Sequence, residues 1–334
     1  MLRTFILLLA LAFTARAAEL QKFVFEKAEM GVPFRISLFA ESADTAKAAA
    51  DAAFARVAAL NAILSDYEDN SELTALSRSA GSGQAVKVSA ELWTVLERAQ
   101  QLAASTGGAF DVTCGPLTSV WRRARRKFEL PSPQLVAESR ERVGWQRLRL
   151  NVDAHTAELL TTGMRLDLGS IAKGFACDEA LRVLRENGHP IALVAGSGDM
   201  SAGDPPPGRA GWRIEVAPLD AEGRTEKPTP VIIELAHAAI ATSGDTFQRL
   251  EIGGKRYSHI LDARTGQPLT NHTVVSVIAR DGLTAGISTA CCILGPQESA
   301  KLLEEWKAAA RWQSQPGEKV ELHETAGWSE WLAK

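Results

Sequence analysis

The sequence of 334 residues is poor in cysteine, with four in all, at Cys114, Cys177, Cys291 and Cys292. A disulfide framework needs more cysteines in a chain of this length, and Cys291 and Cys292 are adjacent. No two of them have the spacing of a structural zinc site. We therefore expect each cysteine to be a small buried apolar residue, with a single disulfide as the alternative.

The chain also lacks an excess of positive charge, since 40 Asp and Glu residues outnumber 37 Lys and Arg residues. The net charge of -3 argues against a nucleic-acid partner, because proteins that bind duplexes usually carry a basic field. One basic cluster, "WRRARRK" at 121–127, is the exception. We expect this cluster to be a solvated helix surface.

No hydrophobic run is long enough for an ordinary membrane span, which needs about 20 residues. The N-terminus reads "MLRT", then "FILLLALAF", then Ala15-Arg16-Ala17. One basic residue, a short apolar run and an A-x-A site predict a secretory signal peptide over residues 1–17, with an uncleaved anchor as the alternative. The mature chain, residues 18–334, is then expected in a bacterial periplasm, with no stable membrane span after cleavage.

Helix and strand patterns are mixed along the chain without strict alternation. "FVFEKAEMGVPFRISLFA" alternates apolar and polar residues as a strand pair does. Helices are predicted over 44–65, with Asp44 as a possible cap, over 90–105, and later over 283–294 and 298–310. Gly253-Gly254 predicts a hairpin turn. These elements indicate an α+β fold with mixed β-sheets and packed helices.

The stretch "MRLDLGSIAKGFACDEALRVL" at 164–184 predicts a strand, a turn at Gly169 and a helix with Ser170 as its N-cap. That places Lys173 in the first helical turn, where a cation opposes the helix dipole by about 0.3–1 kcal/mol. Free backbone N–H groups and a lysine at a strand-to-helix turn together form a phosphate cradle. We therefore expect a ligand phosphate here, with a solvated lysine on an ordinary helix as the alternative.

Seven short sequence blocks, spread along nearly the whole chain, match in their residues and in their order a pattern known from one protein family. "EMGVPFRI", "LSDYEDNSELTALS", "GGAFDVTCGPLTSVW" and "LDLGSIAKGFACD" occur in that order, followed by "AGSGDM", "ATSGD" and "GKRYSHILDARTGQPL". Together they resemble the FAD:protein FMN transferases, also called the ApbE family, with Ser170 in place of a Gly and Phe175 in place of a Tyr. The resemblance implies an ApbE-like, T-fold-like architecture.

The resemblance also implies a flavin transferase that takes FAD as its substrate and depends on Mg²⁺. Such enzymes cleave the FAD pyrophosphate, release AMP and attach FMN through a phosphodiester to a Thr or Ser of an acceptor protein, and some hydrolyse FAD to FMN and AMP. Lys173 then has a catalytic role, because phosphoryl transfer depends on positioning and charge neutralisation. The resemblance implies flavin contacts from Met30, Gly31, Tyr67, Ser71, Ala109, Phe110, Asp111, Gly169, Ser170, Lys173, Asp178 and His259.

His259 is expected to be catalytic as well. It directly follows Ser258, and consecutive residues on a strand point to opposite faces, so the two do not readily form a nucleophile–base pair. The resemblance instead makes His259 a flavin contact or a proton carrier. A core histidine held by a backbone carbonyl is the alternative.

The acidic residues of the blocks differ in the roles that the sequence predicts for them. We expect Asp245 to line the site and to take part in catalysis, while Asp199 is open between a site residue and a turn residue. Asp111 and Thr113 are expected to be structural or to support the site. Asp178 is open between the site and a solvated helix position.

The stretch "DGLTAGISTACCILG" at 281–295 departs from the family pattern. Family members usually carry Asp-x-x-x-Thr here, and these side chains bind Mg²⁺ together with a backbone carbonyl that corresponds to that of Ala172. Thr289 matches the Thr, whereas Ala285 stands at the Asp position. A hard divalent cation without a carboxylate ligand should bind much more weakly. Asp281 is an alternative ligand if the stretch is irregular.

A second departure is Val32, which stands where the family commonly has Thr after Met-Gly. FAD binding is therefore better supported by the sequence than FMN transfer. Two alternatives to a transferase stay open: a noncatalytic FAD-binding or carrier protein, and a hydrolase that releases FMN and AMP from FAD.

Overall fold

The computed structural model of the protein describes residues 19–216, 218–219, 230–246, 248–316 and 319–334. The predicted signal peptide, residues 1–17, lies outside the described residues. Within the described ranges, no helix combines the length and the apolar character that a bilayer crossing requires.

The helices of the described chain carry the labels α1 to α8. They are α1 Ala43–Leu64, α2 Glu72–Arg78, α3 Ala90–Ser105, α4 Gly115–Lys127, α5 Pro133–Arg140, α6 Ala172–Glu186, α7 Gly282–Ala285 and α8 Ser288–Glu305. Helix α8 is kinked at Gly295, which has a non-helical φ of 73°. Short 3₁₀ turns lie at Trp145–Arg147 and Ala326–Trp331.

The strands form one large sheet and several small ones. They are β1 Gln21–Glu29, β2 Val32–Ala40, β3 Val86–Lys87, β4 Leu148–Asn151, β5 Thr156–Leu159, β6 Ala192–Gly196, β7 Asp199–Ala202, β8 Trp212–Val216, β9 Val231–Leu235, β10 Ala238–Gly244, β11 Arg249–Ile252, β12 Lys255–Ser258, β13 Leu261–Asp262, β14 Gln267–Pro268, β15 His272–Ala279, β16 Ala309–Gln315 and β17 Glu321–Glu324. The large sheet has 8 strands in the order β1-β2-β6-β7-β10-β15-β16-β17, and neighbouring strands are antiparallel. The architecture is α+β, as the mixed pattern of the sequence predicts.

Both faces of the large sheet are covered. Strand β2 contributes Phe34, Ile36 and Leu38 to the main hydrophobic core, which also contains the apolar sides of α1, α3, α6 and α8. On the other face, a smaller core joins the β8–β9 hairpin to Ile240 and Ile278. Because strand side chains alternate between faces, one strand contributes to both layers: β15 places Val275 and Val277 in the main core and Ile278 in the smaller one.

Most of the predicted elements are present. The strand pair is β1 and β2, joined at Met30-Gly31, and the Ala-rich helix and the helix over 90–105 are α1 and α3. The Gly253-Gly254 turn joins β11 to β12, and both glycines have positive φ, at 60° and 72°. That backbone conformation explains why the hairpin needs glycine there.

Other predictions of secondary structure and helix caps are wrong. Ser42, not Asp44, caps α1, with its Oγ accepting from the Thr45 N–H at 3.3 Å. Residues 164–169 form no regular strand and are held by an isolated bridge from Arg165 to Cys114. The predicted helix over 283–294 is divided between α7 and α8, and 298–310 changes from helix to strand at its end.

Two glycines allow α6 and α7 to touch. A Cβ added at Gly174 would lie 2.2 Å from the Gly282 carbonyl oxygen, and one added at Gly282 would lie 2.4 Å from the Gly174 carbonyl oxygen. Such distances are far below van der Waals contact, so these positions accept no side chain unless the backbone moves. The contact fixes the start of α6 against the segment that precedes α8.

All four cysteines are free. Cys177, Cys291 and Cys292 are buried, as expected for small apolar residues, and Cys114 is half-buried. Burial raises the pKa of the Cys291 thiol to about 12, so this thiol is protonated at neutral pH.

Candidate functional site

A cavity of about 1090 Å³ opens beside the start of α6, and its wall is built by chain segments between residues 30 and 293. It is large enough for a dinucleotide-sized ligand. Most of the residues predicted to form the site line it, namely Met30, Gly31, Tyr67, Ala109, Phe110, Asp111, Gly169, Ser170, Lys173, His259 and Thr289. Ser71, Ala172, Asp178 and Asp245 do not belong to the cavity wall.

Met30 and Gly31 reach the cavity because they form the tight turn between β1 and β2. Both residues have positive φ, at 50° and 74°, and a two-residue turn of this kind matches the twist of the paired strands. Val32, the first residue of β2, lines the cavity directly after the turn.

Tyr67 presents an exposed aromatic ring at the cavity, with 73% of the residue accessible. The Arg122 guanidinium lies 4.3 Å from its ring centroid, and Arg122 also pairs with Asp66 and, at 2.7 Å, with Asp167. One ring face is thus supported by a cation held by two carboxylates. The rest of the ring offers a stacking surface for a flat ligand.

Ser71 supports the Tyr67 loop without lining the cavity. Its Oγ accepts from the Thr74 N–H at 3.0 Å, which caps α2, and donates to the Ser65 carbonyl at 2.5 Å. The sequence patterns predict no helix here and so miss α2, because a helix of two turns has little periodicity of its own.

Asp111 is held mainly by its own neighbourhood, in line with the expected structural role. Its Oδ1 accepts from the Thr113 N–H at 2.8 Å and from Thr113 Oγ1 at 2.7 Å, and Oδ2 accepts from the Trp145 N–H at 2.9 Å. Burial raises the pKa of the Asp111 carboxyl. The network fixes the wall that carries Ala109 and Phe110.

Helix α6 starts without a side-chain cap. The expected N-cap, Ser170, is wrong by one position, since Ile171 is the N-cap residue and has no side chain that could accept a hydrogen bond. The Ala172 N–H donates to the Leu168 carbonyl at 2.9 Å, and no side chain caps the N–H groups that follow in the first turn of α6. Gly169 and Ser170, which precede them, line the cavity.

Lys173 lies in the first turn of α6, as predicted, but it already has an anionic partner. Its Nζ is 3.0 Å from Asp199 Oδ2 and donates to the Gly169 carbonyl at 3.1 Å. The Asp199 carboxylate raises the pKa of the Lys173 ammonium. Asp199 thus supplies an anionic partner from within the protein, which the sequence did not reveal, and it lies beside Lys173 in the cavity wall. The Lys173 side chain still lines the cavity, with 25% of its area exposed.

His259 is half-buried in the cavity wall, and its protonation state follows from its contacts. Nδ1 lies 3.1 Å from the Gln248 carbonyl oxygen, so Nδ1 carries the proton and donates, and Nε2 is left as an acceptor. The pKa of His259 is lowered to about 4, mainly by burial and in part by the positive charges of Arg125 and Lys173, while the hydrogen bond to Gln248 acts in the opposite direction. His259 is thus neutral at pH 7 and can accept a proton at Nε2.

Asp245 is not a cavity residue, although the sequence predicts that it lines the site and is catalytic. It is 2% exposed and accepts from His272 Nδ1 at 2.7 Å, from the Thr273 N–H at 3.3 Å and from Arg256 Nε. A carboxylate with three donors has a structural role. It fixes the turn whose neighbours Gly244 and Thr246 do line the cavity.

Asp178 is likewise an internal anchor instead of a flavin contact or a solvated helix residue. Its Oδ1 accepts from Ser201 Oγ at 2.7 Å and from the Gly282 N–H at 2.8 Å, and Oδ2 accepts from the Leu283 N–H at 3.0 Å. Burial raises the pKa of this carboxyl to about 6. Asp178 thereby ties α6 to the start of α7.

The expected metal position contains hydroxyl groups and no carboxylate. Ser243 Oγ lies 3.0 Å from Thr289 Oγ1 and 2.8 Å from Ser288 Oγ. Ala285 is fully buried against the alanines of β10 and β15. Asp281 caps α7 by accepting from the Thr284 N–H at 2.6 Å, and its other oxygen accepts from Arg280 at 2.9 Å. Among the residues that the structure describes, no cluster of three or more His, Cys, Asp and Glu side chains could hold a metal ion.

Sequence analysis missed two cavity residues of the basic cluster. Arg122 and Arg125 line the cavity, whereas the cluster is predicted to be a solvated surface. The available signal is the spacing in α4, since Thr118, Trp121, Arg122 and Arg125 follow an i, i+3, i+4, i+7 pattern and all face the cavity.

The protein is of the α+β class, with helices packed on an antiparallel sheet. Its one large described cavity is lined by an uncapped helix start, a lysine, a histidine and an exposed aromatic ring, which suits a nucleotide-like ligand. A sequence model of the ApbE family matches residues 30–312. The chain belongs to the ApbE family.

Similar proteins are found both among known sequences and among solved structures. The chain is 33% identical to the FAD:protein FMN transferase of Treponema pallidum over 259 residues, which are 73% of this chain and 70% of the relative. It is 30% identical to that of Haemophilus influenzae over 252 residues, covering 74% and 72%. The apo form of the Pseudomonas stutzeri flavinyl transferase ApbE superposes with a TM-score of 0.81 at 27% identity, covering 93% of this chain and 97% of that one. The Vibrio cholerae flavin transferase ApbE shares the fold with a TM-score of 0.82 at 24% identity, covering 94% and 100%.

Proposed function

We propose that this protein is an FAD:protein FMN transferase that works in a bacterial periplasm. It would cleave the pyrophosphate of FAD and attach FMN to a Thr or Ser hydroxyl of an acceptor protein. The observation that carries the proposal is that Tyr67, Lys173 and His259, from three distant segments, line one cavity at an uncapped helix start. The names of the relatives support it.

The chemistry fits the charges of the cavity wall. His259 Nε2 would take the proton of the acceptor hydroxyl, whose oxygen forms a bond to the FMN phosphorus while the bond from that phosphorus to the AMP oxygen breaks. AMP leaves with the bonding electron pair. Lys173 and the first N–H groups of α6 would bind the phosphate oxygens, where positioning and charge neutralisation matter most. Tyr67 would stack on a flat ring of the flavin dinucleotide.

The magnesium dependence implied by the resemblance does not fit the described residues as a dedicated site. Thr289 Oγ1 is present, but Ala285 offers no oxygen from its side chain and Asp281 is engaged in capping α7. Mg²⁺ prefers several oxygen ligands in octahedral geometry, usually including a carboxylate. We infer that the protein part of this site binds Mg²⁺ weakly.

The test of the function uses the purified mature chain with FAD, Mg²⁺ and an acceptor protein that carries a threonine acceptor motif. We expect covalent flavin fluorescence on the acceptor in a denaturing gel, with one AMP released for each flavin attached. An acceptor with its Thr changed to Val is the control and should stay unlabelled. Release of free FMN with AMP would indicate a hydrolase instead, and bound but intact FAD would indicate a carrier.

A substitution at Ala285 tests the metal inference. We expect Ala285→Asp to raise the transfer rate at low Mg²⁺, because a carboxylate near Thr289 would add the missing hard ligand. Ala285→Asn is the matched control, since it has the same size without the charge. The rate is measured across a Mg²⁺ titration. Because Ala285 is fully buried, thermal melts in metal-free buffer check that both variants fold. Equal Mg²⁺ responses of the two variants would contradict the inference.

A further inference from the structure

The feature that the proposed mechanism leaves unused is the arginine-rich face of α4. Within this helix, Arg122 and Arg125 line the cavity, while Arg123, Arg126 and Lys127 are exposed on the outer side. The basic cluster therefore has two faces with different surroundings. The last turn of α4 carries three cations, which interact favourably with the negative end of the helix dipole. The dipole does not explain why one of them, Arg125, lines the cavity.

The two arginines in the cavity differ in their partners. Arg122 is neutralised by Asp66 and Asp167, and it supports Tyr67. Arg125 makes no hydrogen bond or ion pair with any residue in the part of the chain that the structure describes. Its guanidinium group therefore has all of its N–H donors available.

Three of the five carboxylates in the cavity wall are already engaged. Asp167 binds Arg122 and accepts from the Gly169 N–H, Asp199 binds Lys173, and Asp111 accepts from Thr113 and Trp145. The other two, Glu68 and Glu215, line the cavity without an ion pair to Arg125. The charge of the Arg125 guanidinium is therefore not compensated by an ion pair among the described residues.

Arg125 is also partly removed from water. It is half-buried, and burial lowers the pKa of its guanidinium, with the nearby charge of Arg122 lowering it further. Burial raises the pKa of Tyr67 and lowers that of His259, and the Arg125 charge opposes the first shift and adds to the second, so its field reaches the aromatic wall and the proposed base. A half-buried cation without a counter-ion favours binding of an anion that enters the cavity.

We propose that Arg125 binds a phosphate oxygen of the flavin dinucleotide and makes the cavity selective for phosphorylated flavins. This inference rests on the proposed function. The planar guanidinium fork suits the oxygens of a diphosphate, which it can grip through two parallel hydrogen bonds. Lys173 and the start of α6 would hold the diphosphate from one side of the cavity, and Arg125 from α4 would hold it from another.

The test compares Arg125→Gln with Arg126→Gln, which removes the same charge from the exposed face of the same helix. Dissociation constants for FAD and for riboflavin are measured by flavin fluorescence titration. We expect Arg125→Gln to weaken FAD binding by roughly 10- to 100-fold, because a charge-assisted hydrogen bond is lost. Riboflavin has no phosphate, so its affinity should stay within about twofold, and Arg126→Gln should bind both ligands like the wild type.

Arg125→Lys serves as a second variant that keeps the charge, and it should retain part of the lost FAD affinity. Its thermal melt, with that of Arg125→Gln, checks that the fold is intact. An equal loss of FAD and riboflavin binding would overturn the inference, because Arg125 would then only shape the wall. Unchanged FAD binding by Arg125→Gln would overturn it as well, while leaving wild-type FMN transfer and the proposed function intact. A wild type that binds no FAD would overturn both.

Discussion

Replacing His259 by Asn is expected to slow FMN transfer by roughly 10²- to 10⁴-fold while FAD stays bound, since this is the usual range for the loss of a general base. An Asn amide can still donate to the Gln248 carbonyl in place of Nδ1. It has no basic nitrogen at the position of Nε2, so the acceptor hydroxyl would keep its proton. The variant therefore removes proton transfer by residue 259 while it keeps the hydrogen bond that holds this residue in the cavity wall.

The measurement is single-turnover labelling of the acceptor protein, with FAD affinity determined in parallel by fluorescence. His237→Asn is the matched control, because His237 lies at the surface and its positive φ of 50° is one that Asn adopts readily. The control should label the acceptor at the wild-type rate. If His259→Asn transferred FMN at that rate too, His259 would not be the base. If it lost FAD binding to the same degree as transfer, its role would be in binding.

The pH profile gives an independent check on His259. The folded-state pKa is lowered to about 4, mainly by burial and then by the charges of Arg125 and Lys173, while Asp245 acts in the opposite direction. The base form is therefore present above about pH 4 and is lost as the pH falls through that value. We expect kcat/KM to show no loss from this group between pH 8 and about pH 5. A histidine with an ordinary pKa would already lose activity near pH 6.5.

Replacing Asp178 by Ala is expected to lower the free energy of unfolding by about 2–6 kcal/mol. The carboxylate accepts from Ser201 Oγ, which can rotate, and from the Gly282 and Leu283 N–H groups, which cannot, and each of these two buried backbone donors costs about 1–3 kcal/mol when left without an acceptor. Urea unfolding followed by circular dichroism measures the change. Glu186→Ala, at the exposed end of the same helix, should stay within about 0.5 kcal/mol of the wild type. A similar decrease in the free energy of unfolding in both variants would show that the hydrogen bonds of Asp178 contribute no particular stability.

The protonation of Asp178 adds a pH signature to this prediction. Its pKa is raised from 3.8 to about 6 in the folded state, so the folded protein binds this proton more tightly than the unfolded chain does. The stabilisation of the folded state by this bound proton is fully present below about pH 4 and is lost as the pH rises through about 6. Relative to Asp178→Asn, which does not titrate, the wild type should lose stability between these two values and change no further above them.

The parts of the fold that the sequence predicts well are those set by local patterns. Helices α1 and α3 follow from helical spacing, and the β11–β12 hairpin follows from its two glycines. The site residues found in advance, such as Tyr67, Lys173 and His259, belong to blocks that resemble one family. Local chemistry and family resemblance both act within a short stretch of chain, and this is why they could be recognised without the structure.

The features that the sequence does not predict depend on residues far apart in the chain. Asp199 follows Lys173 by a helix and a strand, and only the packed sheet brings the two within 3.0 Å. Asp245 and Asp178 occur in family blocks, yet their buried donors lie 27 and 104 positions further along the chain. Arg125 differs from Arg123 and Arg126 on α4 only in the side of the helix that it occupies. Such partners depend on tertiary packing, which single-sequence patterns do not encode.

The cavity wall is built from segments that lie far apart in the chain, and this affects when the protein can bind a ligand. Its lining begins at the β1–β2 turn near residue 30 and ends in α8 near residue 293, with strands from the middle of the chain between them. A chain in which α8 has not yet docked has an incomplete pocket, so the complete binding site forms only when segments near both ends of the fold come together. A bound ligand would then contact early and late segments of the chain and favour the folded state by mass action.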